Sequence, residues 1–113
     1  SVMGLEIYLT EFDVNDTRLG PDIATRDRLI ASYTKDYLDL MLSYPAVKEI
    51  IVWGIADHYS WLQTFLPRTD GVEKRPTIYD SSYRPKPVRD AVAAALEGAP
   101  TRTPGPSLTP VGR

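Results

Sequence analysis

The sequence predicts an α/β protein with element order β-α-β-α and parallel strands. Two observations carry that expectation. Residues 5–14 and 47–55 are short, largely apolar runs of strand length. Each is followed by a segment whose apolar residues recur at helical spacing. Strands that alternate with helices in this order pair in parallel through a right-handed crossover.

Leu5 to Val14 is apolar on both faces, as in a strand covered from both sides. Strict alternation places Ile7, Leu9, Glu11 and Asp13 on one face, with Tyr8, Thr10, Phe12 and Val14 on the other. Asn15 to Pro21 is a loop, marked by Asp16, Gly20 and Pro21. Asp22 to Ser43 reads as a long helix whose apolar stripe is Ile30, Tyr33, Tyr37, Leu40 and Tyr44. Tyr44-Pro45 ends it, because a residue before proline is pushed out of the helical region.

Val47 to Ile55 is the second strand, rich in β-branched residues. Asp57 to Asp80 is far longer than a routine connection of about 4–6 residues, which suggests a functional loop. The last helix runs from about Pro87 to Glu97, with proline tolerated in its first turn. Its stripe is Val88, Ala91, Val92, Ala95 and Leu96, and Gly98 supplies the stop. Pro100 to Arg113 holds four prolines, two glycines and four Ser/Thr, and reads as a disordered end or linker.

Composition narrows the function. The chain has 113 residues, 42% hydrophobic and 25% charged, within the size of one small domain. A net charge of −2 gives no reason to expect nucleic acid or an anionic membrane as partner. No apolar run approaches the roughly 20 residues of a membrane span, and the start lacks a signal-peptide pattern. Zero cysteines exclude disulfides and thiolate metal sites, and a single histidine argues against a structural metal. No cofactor is expected.

Four side chains stand out as candidates for chemistry. Glu11 sits among Leu9, Phe12 and Val14, where an unpaired carboxylate is costly to bury. It either meets a substrate or caps and salt-bridges at a strand end. Asp13 lies two residues on, close enough that one carboxyl of the pair should have a raised pKa unless partners stabilise it. It equally suits an Asp that opens the following loop. Trp53 ends the second strand and Trp61 falls in the loop after it. Flat indoles stack on the apolar faces of sugar rings, with core packing as the rival role, stronger for Trp53. His58 reads as a solvated loop histidine, and Asp57 as a brace for the loop.

The run Leu9-Thr10-Glu11-Phe12-Asp13-Val14 precedes Ile51-Val52-Trp53-Gly54-Ile55-Ala56-Asp57-His58-Tyr59-Ser60-Trp61-Leu62 by some forty residues. This pair resembles the last quarter of the glycoside hydrolase family 10 endo-1,4-β-xylanases, over roughly residues 4 to 98. Their seventh barrel strand ends in a Thr-Glu-Leu-Asp-like motif. Their eighth runs Val-Trp-Gly-Val-Thr-Asp, followed by a Tyr-Ser-Trp loop. The Tyr79–Pro87 run resembles the segment leading into the family's last helix.

The resemblance implies a β-α-β-α segment of a (β/α)8 TIM barrel. Residues 1–99 would be the C-terminal quarter of that domain and 100–113 a tail. Such a barrel needs about 250 residues, so 113 supply about two of its eight units. It implies that Glu11, at the catalytic end of its strand, is the nucleophile of a retaining mechanism. It also implies that Asp13 supports Glu11 and that Trp53 and Trp61 bind sugar. Leu62 stands where many members carry a basic residue, which puts a polar contact there in doubt.

The family's acid/base glutamate lies in an Asn-Glu motif of the fourth strand, and no such motif occurs in these residues. The histidine that holds the nucleophile also comes from an earlier strand. The resemblance therefore implies a polysaccharide substrate, xylan or its oligosaccharides, and secretion or a periplasmic location. It implies a further partner too: the N-terminal part of the barrel or another copy of the chain. With open strand edges and Ile7, Leu9 and Ile51 facing water, these residues alone are expected to be inactive and either poorly folded or associated. Two other readings stay open. One is a non-catalytic fragment that binds sugar or self-associates; the other is a segment of a different retaining β-glycanase.

Overall fold

The structure is a computed structural model and describes residues 3–102. Most of the tail expected at 100–113 lies outside the described residues. Strands β1 (Ile7–Phe12) and β2 (Val47–Val52) form a two-stranded parallel sheet. Helix α1 (Ile23–Leu42) connects them, and α3 (Pro87–Gly98) follows β2 after a long excursion that contains the short helix α2 (Leu62–Phe65).

Local chemistry explains the helix ends. Asp22 caps α1 by accepting a hydrogen bond from Thr25 N at 2.8 Å. At the other end Ser43 Oγ donates to Leu40 O at 2.6 Å, just before Tyr44-Pro45 stops the helix. Helix α3 opens with Pro87 at its first turn.

Helices α1 and α3 pack on the sheet through a buried cluster of Leu38, Leu42, Val47 and Ala95. Leu9 and Ile50 of the strands and Tyr37, Met41 and Val92 of the helices close around it. Burying a Leu side chain fully contributes about 1.5–3 kcal/mol, so this cluster is the main apolar support of the layer. Arg102 ties the chain beyond α3 to the same end, donating to Val47 O at 2.8 Å and Leu42 O at 2.6 Å.

The buried stripe of α1 differs from the expected one. Arg26, Asp27, Ile30, Thr34, Leu38 and Leu42 face inward, whereas Tyr33, Leu40 and Tyr44 are exposed. Of the three tyrosines in the expected stripe only Tyr37 is half-buried, stacked on Phe12 at 5.8 Å. The reason is electrostatic: the first turns of α1 bury charges that pair with the long connection, which rotates the inward face. On α3, Val88 and Ala95 are buried and Ala91 and Val92 half-buried, but Leu96 is exposed.

Strict alternation also fails in β1. Leu9 packs on the helix cluster and Phe12, three residues later, stacks on α1. Their partners on β2, Ile50 and Val52, are only two apart, so β1 carries one extra residue between them. Glu11 absorbs it with φ of 60°. A bulge of this kind inverts the phase of a strand, so Glu11 leaves the face that Leu9 occupies. Ile7 and Ile51 are exposed, as expected, while Leu9 is half-buried against the helices.

The excursion from Asp57 to Asp80 is held by buried polar groups. Asp57 has no exposed surface, and its Oδ1 accepts from Thr77 N at 3.0 Å, Thr77 Oγ1 at 2.8 Å and Lys86 Nζ at 3.0 Å. Burial pushes the Asp57 carboxyl up and the Lys86 ammonium down, against the attraction between them. Every neighbour of Oδ1 is a donor, so the carboxylate form is the one the site accommodates. Arg26 pairs with Asp16 at 2.7 Å in a second buried contact, and Arg75 forms a two-point pair with Asp27.

Candidate active site

The C-terminal ends of the two strands lie side by side, because Trp53 N donates to Phe12 O at 2.9 Å. Glu11 and Trp53 thus flank one backbone hydrogen bond at the same end of a parallel pair. Gly54 follows with φ of +90°, a conformation that L side chains rarely adopt. Glu11 is exposed and holds its left-handed backbone without glycine's freedom. Strain of that kind costs of order 1–3 kcal/mol and persists only where the surroundings enforce it.

Asp13 is half-buried, and Trp61 Nε1 donates to its Oδ2 at 2.8 Å. That single bond joins the end of β1 to the loop after β2. Burial raises the Asp13 carboxyl above the usual carboxylate range, and the charge of Glu11 adds to the shift. The Trp61 N–H and the charge of Lys74 act in the opposite direction. The structure therefore groups Glu11, Asp13 and Trp61 at one rim, with Trp53 beside them on the next strand.

Neither indole is buried: Trp53 keeps 47% of its surface exposed and Trp61 42%. Trp61 lies against the exposed ring of Phe65 on α2, with centroids 5.2 Å apart. His58 is exposed on a single 3-10 turn, edge-on to Tyr59 at 5.0 Å. Leu62 is buried beneath the same loop. Asp57 braces the loop as the buried acceptor described above. A cleft of about 620 Å³ opens between Asp13, Asn15 and the Leu29–Tyr33 turn of α1. Of the four candidates only Asp13 lines it, so the cleft adjoins the rim on the side away from Glu11 and the two indoles.

Three residues near the rim escaped the reading of the sequence. Phe65 extends the aromatic surface. Exposed Asn15 and buried Lys74 meet at the loop, with Lys74 Nζ donating to Asn15 Oδ1 at 2.9 Å. In the sequence Glu73-Lys74-Arg75 looks like a solvated charge run, and only the inward path of the chain shows otherwise.

Parallel strands under a helix layer, with acids and indoles gathered at the strands' C-terminal ends, are the marks of an α/β-barrel segment. Residues 1–95 match the family described as glycosyl hydrolase family 10, and the chain belongs to it. Endo-1,4-beta-xylanase B of Thermotoga neapolitana is 34% identical over 95 residues, covering 84% of this chain and 26% of that protein. Xylanase 10B from Thermotoga petrophila RKU-1, solved in complex with xylobiose, superposes with a TM-score of 0.70 at 35% identity. Native xylanase 10B from Thermotoga maritima gives 0.70 at 34% identity. Each of these two alignments covers 85% of this chain and 28% of the solved one. The chain thus spans about a quarter of the length of these relatives. Among the described residues no helix is long and apolar enough to cross a membrane.

Proposed function

We propose that this chain is the C-terminal part of a retaining endo-1,4-β-xylanase and that Glu11 is its nucleophile. The observation that carries the reading is the strained, exposed Glu11 at the rim, one bulge away from the Asp13–Trp61 bond. The carboxylate of Glu11 attacks the anomeric carbon of a xylose unit, and the glycosidic bond breaks as a glycosyl ester forms. A second carboxylic acid, about 5–5.5 Å away, protonates the leaving oxygen and then takes a proton from the water that hydrolyses the ester.

That acid comes from outside these residues, so the catalytic unit combines this segment with the rest of the barrel. Asp13 supports Glu11 by fixing Trp61, and the two exposed indoles hold the sugar rings on the apolar faces that xylose presents. Residues 1–99 form the barrel's last quarter and 100–113 a tail. The substrate is xylan or its oligosaccharides, encountered after secretion or in a periplasm. A second reading rests on exposed Ile7, Tyr8 and Ile51: the 113 residues by themselves bind sugar or associate without turnover.

The test is Glu11→Gln in the full-length protein that carries this segment. Hydrolysis of xylan should fall below about 1% of the parent while xylo-oligosaccharide binding persists, since a covalent step supplies many orders of magnitude. Residual turnover well above that level would overturn the assignment.

A further inference from the structure

Phe65 keeps 70% of its surface exposed although the short helix that carries it is fixed from below. Leu62, the first residue of α2, is buried. Gln63 clamps α2 to the long connection: its Nε2 donates to Asp57 O at 2.9 Å and Lys74 O at 2.7 Å, and its Oε1 accepts from Lys74 N at 2.9 Å. A helix of four residues has no stability of its own, so these contacts decide which way it faces. They turn Leu62 and Gln63 inward and leave Phe65 toward water.

Trp61 stands one helical turn before Phe65, and Phe65 N donates to Trp61 O at 2.9 Å. Their rings lie 5.2 Å apart, within the range of aromatic contact, and are tilted by 37°. Trp61 is pinned in turn by its bond to Asp13 Oδ2. Two rings, each held by its own anchor, therefore form one surface that starts at the rim carboxyls. Exposed Leu66 continues it toward the cleft beside Asp13. One exposed apolar side chain needs no explanation, but adjoining ones that run on from a candidate site mark a binding surface.

The tilt bears on what binds there. No flat molecule lies parallel to both rings, whereas successive units of a β-1,4-linked chain, joined by rotatable bonds, can each meet one. We infer that Phe65 is a further sugar-binding residue: with Trp61 it forms a subsite for xylose units of the main chain beyond those at the scissile bond. The inference rests on the proposed function for its ligand and deepens it, since such a subsite makes the enzyme favour long chains over short ones. Phe65 contributes to binding and leaves the bond-breaking step to other groups.

The experiment compares xylohexaose with xylobiose by calorimetry, in the full-length protein that carries this segment, made inactive by Glu11→Gln. Adding Phe65→Ala should weaken xylohexaose about three- to tenfold, the scale of one aromatic contact, and leave xylobiose unchanged. Phe65→Tyr should restore the affinity. Phe65→Leu keeps apolar bulk without a flat face, should behave like Phe65→Ala, and serves if that variant does not fold. In the active enzyme Phe65→Ala should raise KM for xylan with kcat little changed. Equal affinities with and without Phe65 overturn the inference, as does equal weakening of both oligosaccharides. A fall in thermal stability with the chain-length preference intact assigns Phe65 to packing against the rest of the barrel and overturns it too. A wild type that does not hydrolyse xylan overturns the proposed function instead, and the two isotherms still decide the role of Phe65.

Discussion

Replacing Lys86 by Met should destabilise the protein by about 3 kcal/mol at neutral pH. The Lys86 side chain is 2% exposed and its pair with Asp57 is closed to water. Its ammonium donates to Asp57 Oδ1 at 3.0 Å, Arg75 O at 2.8 Å and Thr77 O at 2.7 Å. Met keeps the packing of the stem but supplies none of these bonds. Removing one partner of a buried pair costs about 3–5 kcal/mol, because the other charge stays behind. The lower end applies here, since Thr77 still donates twice to Asp57 and Arg75 Nη1 lies 3.9 Å from its Oδ2.

The pH dependence gives the sign a second check. Burial already raises Asp57, and loss of Lys86 raises it further. A carboxyl whose folded pKa exceeds its unfolded one contributes stability below the unfolded value and loses it as pH rises through the folded value. The deficit of Lys86→Met should therefore be largest near neutrality and shrink below the ordinary carboxylate range. Equilibrium unfolding in denaturant at both pH values measures it, and the double variant with Asp57→Asn should recover most of the loss. A deficit under about 1 kcal/mol at neutral pH, the scale of an exposed pair, would refute the reasoning.

Two further outcomes follow from the rim. Gly54→Ala should cost about 1–2 kcal/mol through its left-handed backbone alone, since the added Cβ would meet Thr77 Cγ2 at an ordinary 3.7 Å. Thermal unfolding of the variant measures the cost, and an unchanged stability would show that the backbone there is not constrained. Asp13→Asn keeps an acceptor for Trp61 and removes a charge that burial disfavours. The variant should match the wild type below the carboxylate range and be the more stable near neutrality. A variant less stable at neutral pH than at pH 3, relative to wild type, would reverse the sign argued here.

Much of the fold was legible in the sequence, and the failures have physical causes. Apolar runs and the Tyr44-Pro45 stop located both strands and α1 to within a few residues, since propensity and proline act locally. The inward face of α1 was misjudged because periodicity counts tyrosines as core and Arg26 and Asp27 as surface. Their pairing with Asp16 and Arg75, distant in sequence, reverses that. The bulge at Glu11 was invisible to alternation, which assumes two residues per repeat without interruption. At the rim, the motif singled out Glu11, Asp13, Trp53 and Trp61, whereas the burial of Lys74 was hidden because it depends on a clamp by Gln63 across the turn.

The proposed role of Glu11 as nucleophile is tested most directly by trapping a glycosyl-enzyme. The full-length protein would be treated with a 2-deoxy-2-fluoro-xylobioside bearing a good leaving group. Its fluorine slows an oxocarbenium-like transition state in both steps, while the leaving group lets the first proceed. Peptide mass mapping should place one glycosyl adduct on Glu11, with none formed by Glu11→Gln. An adduct on another carboxylate, or an active enzyme that inverts its product and forms no adduct, would contradict the account.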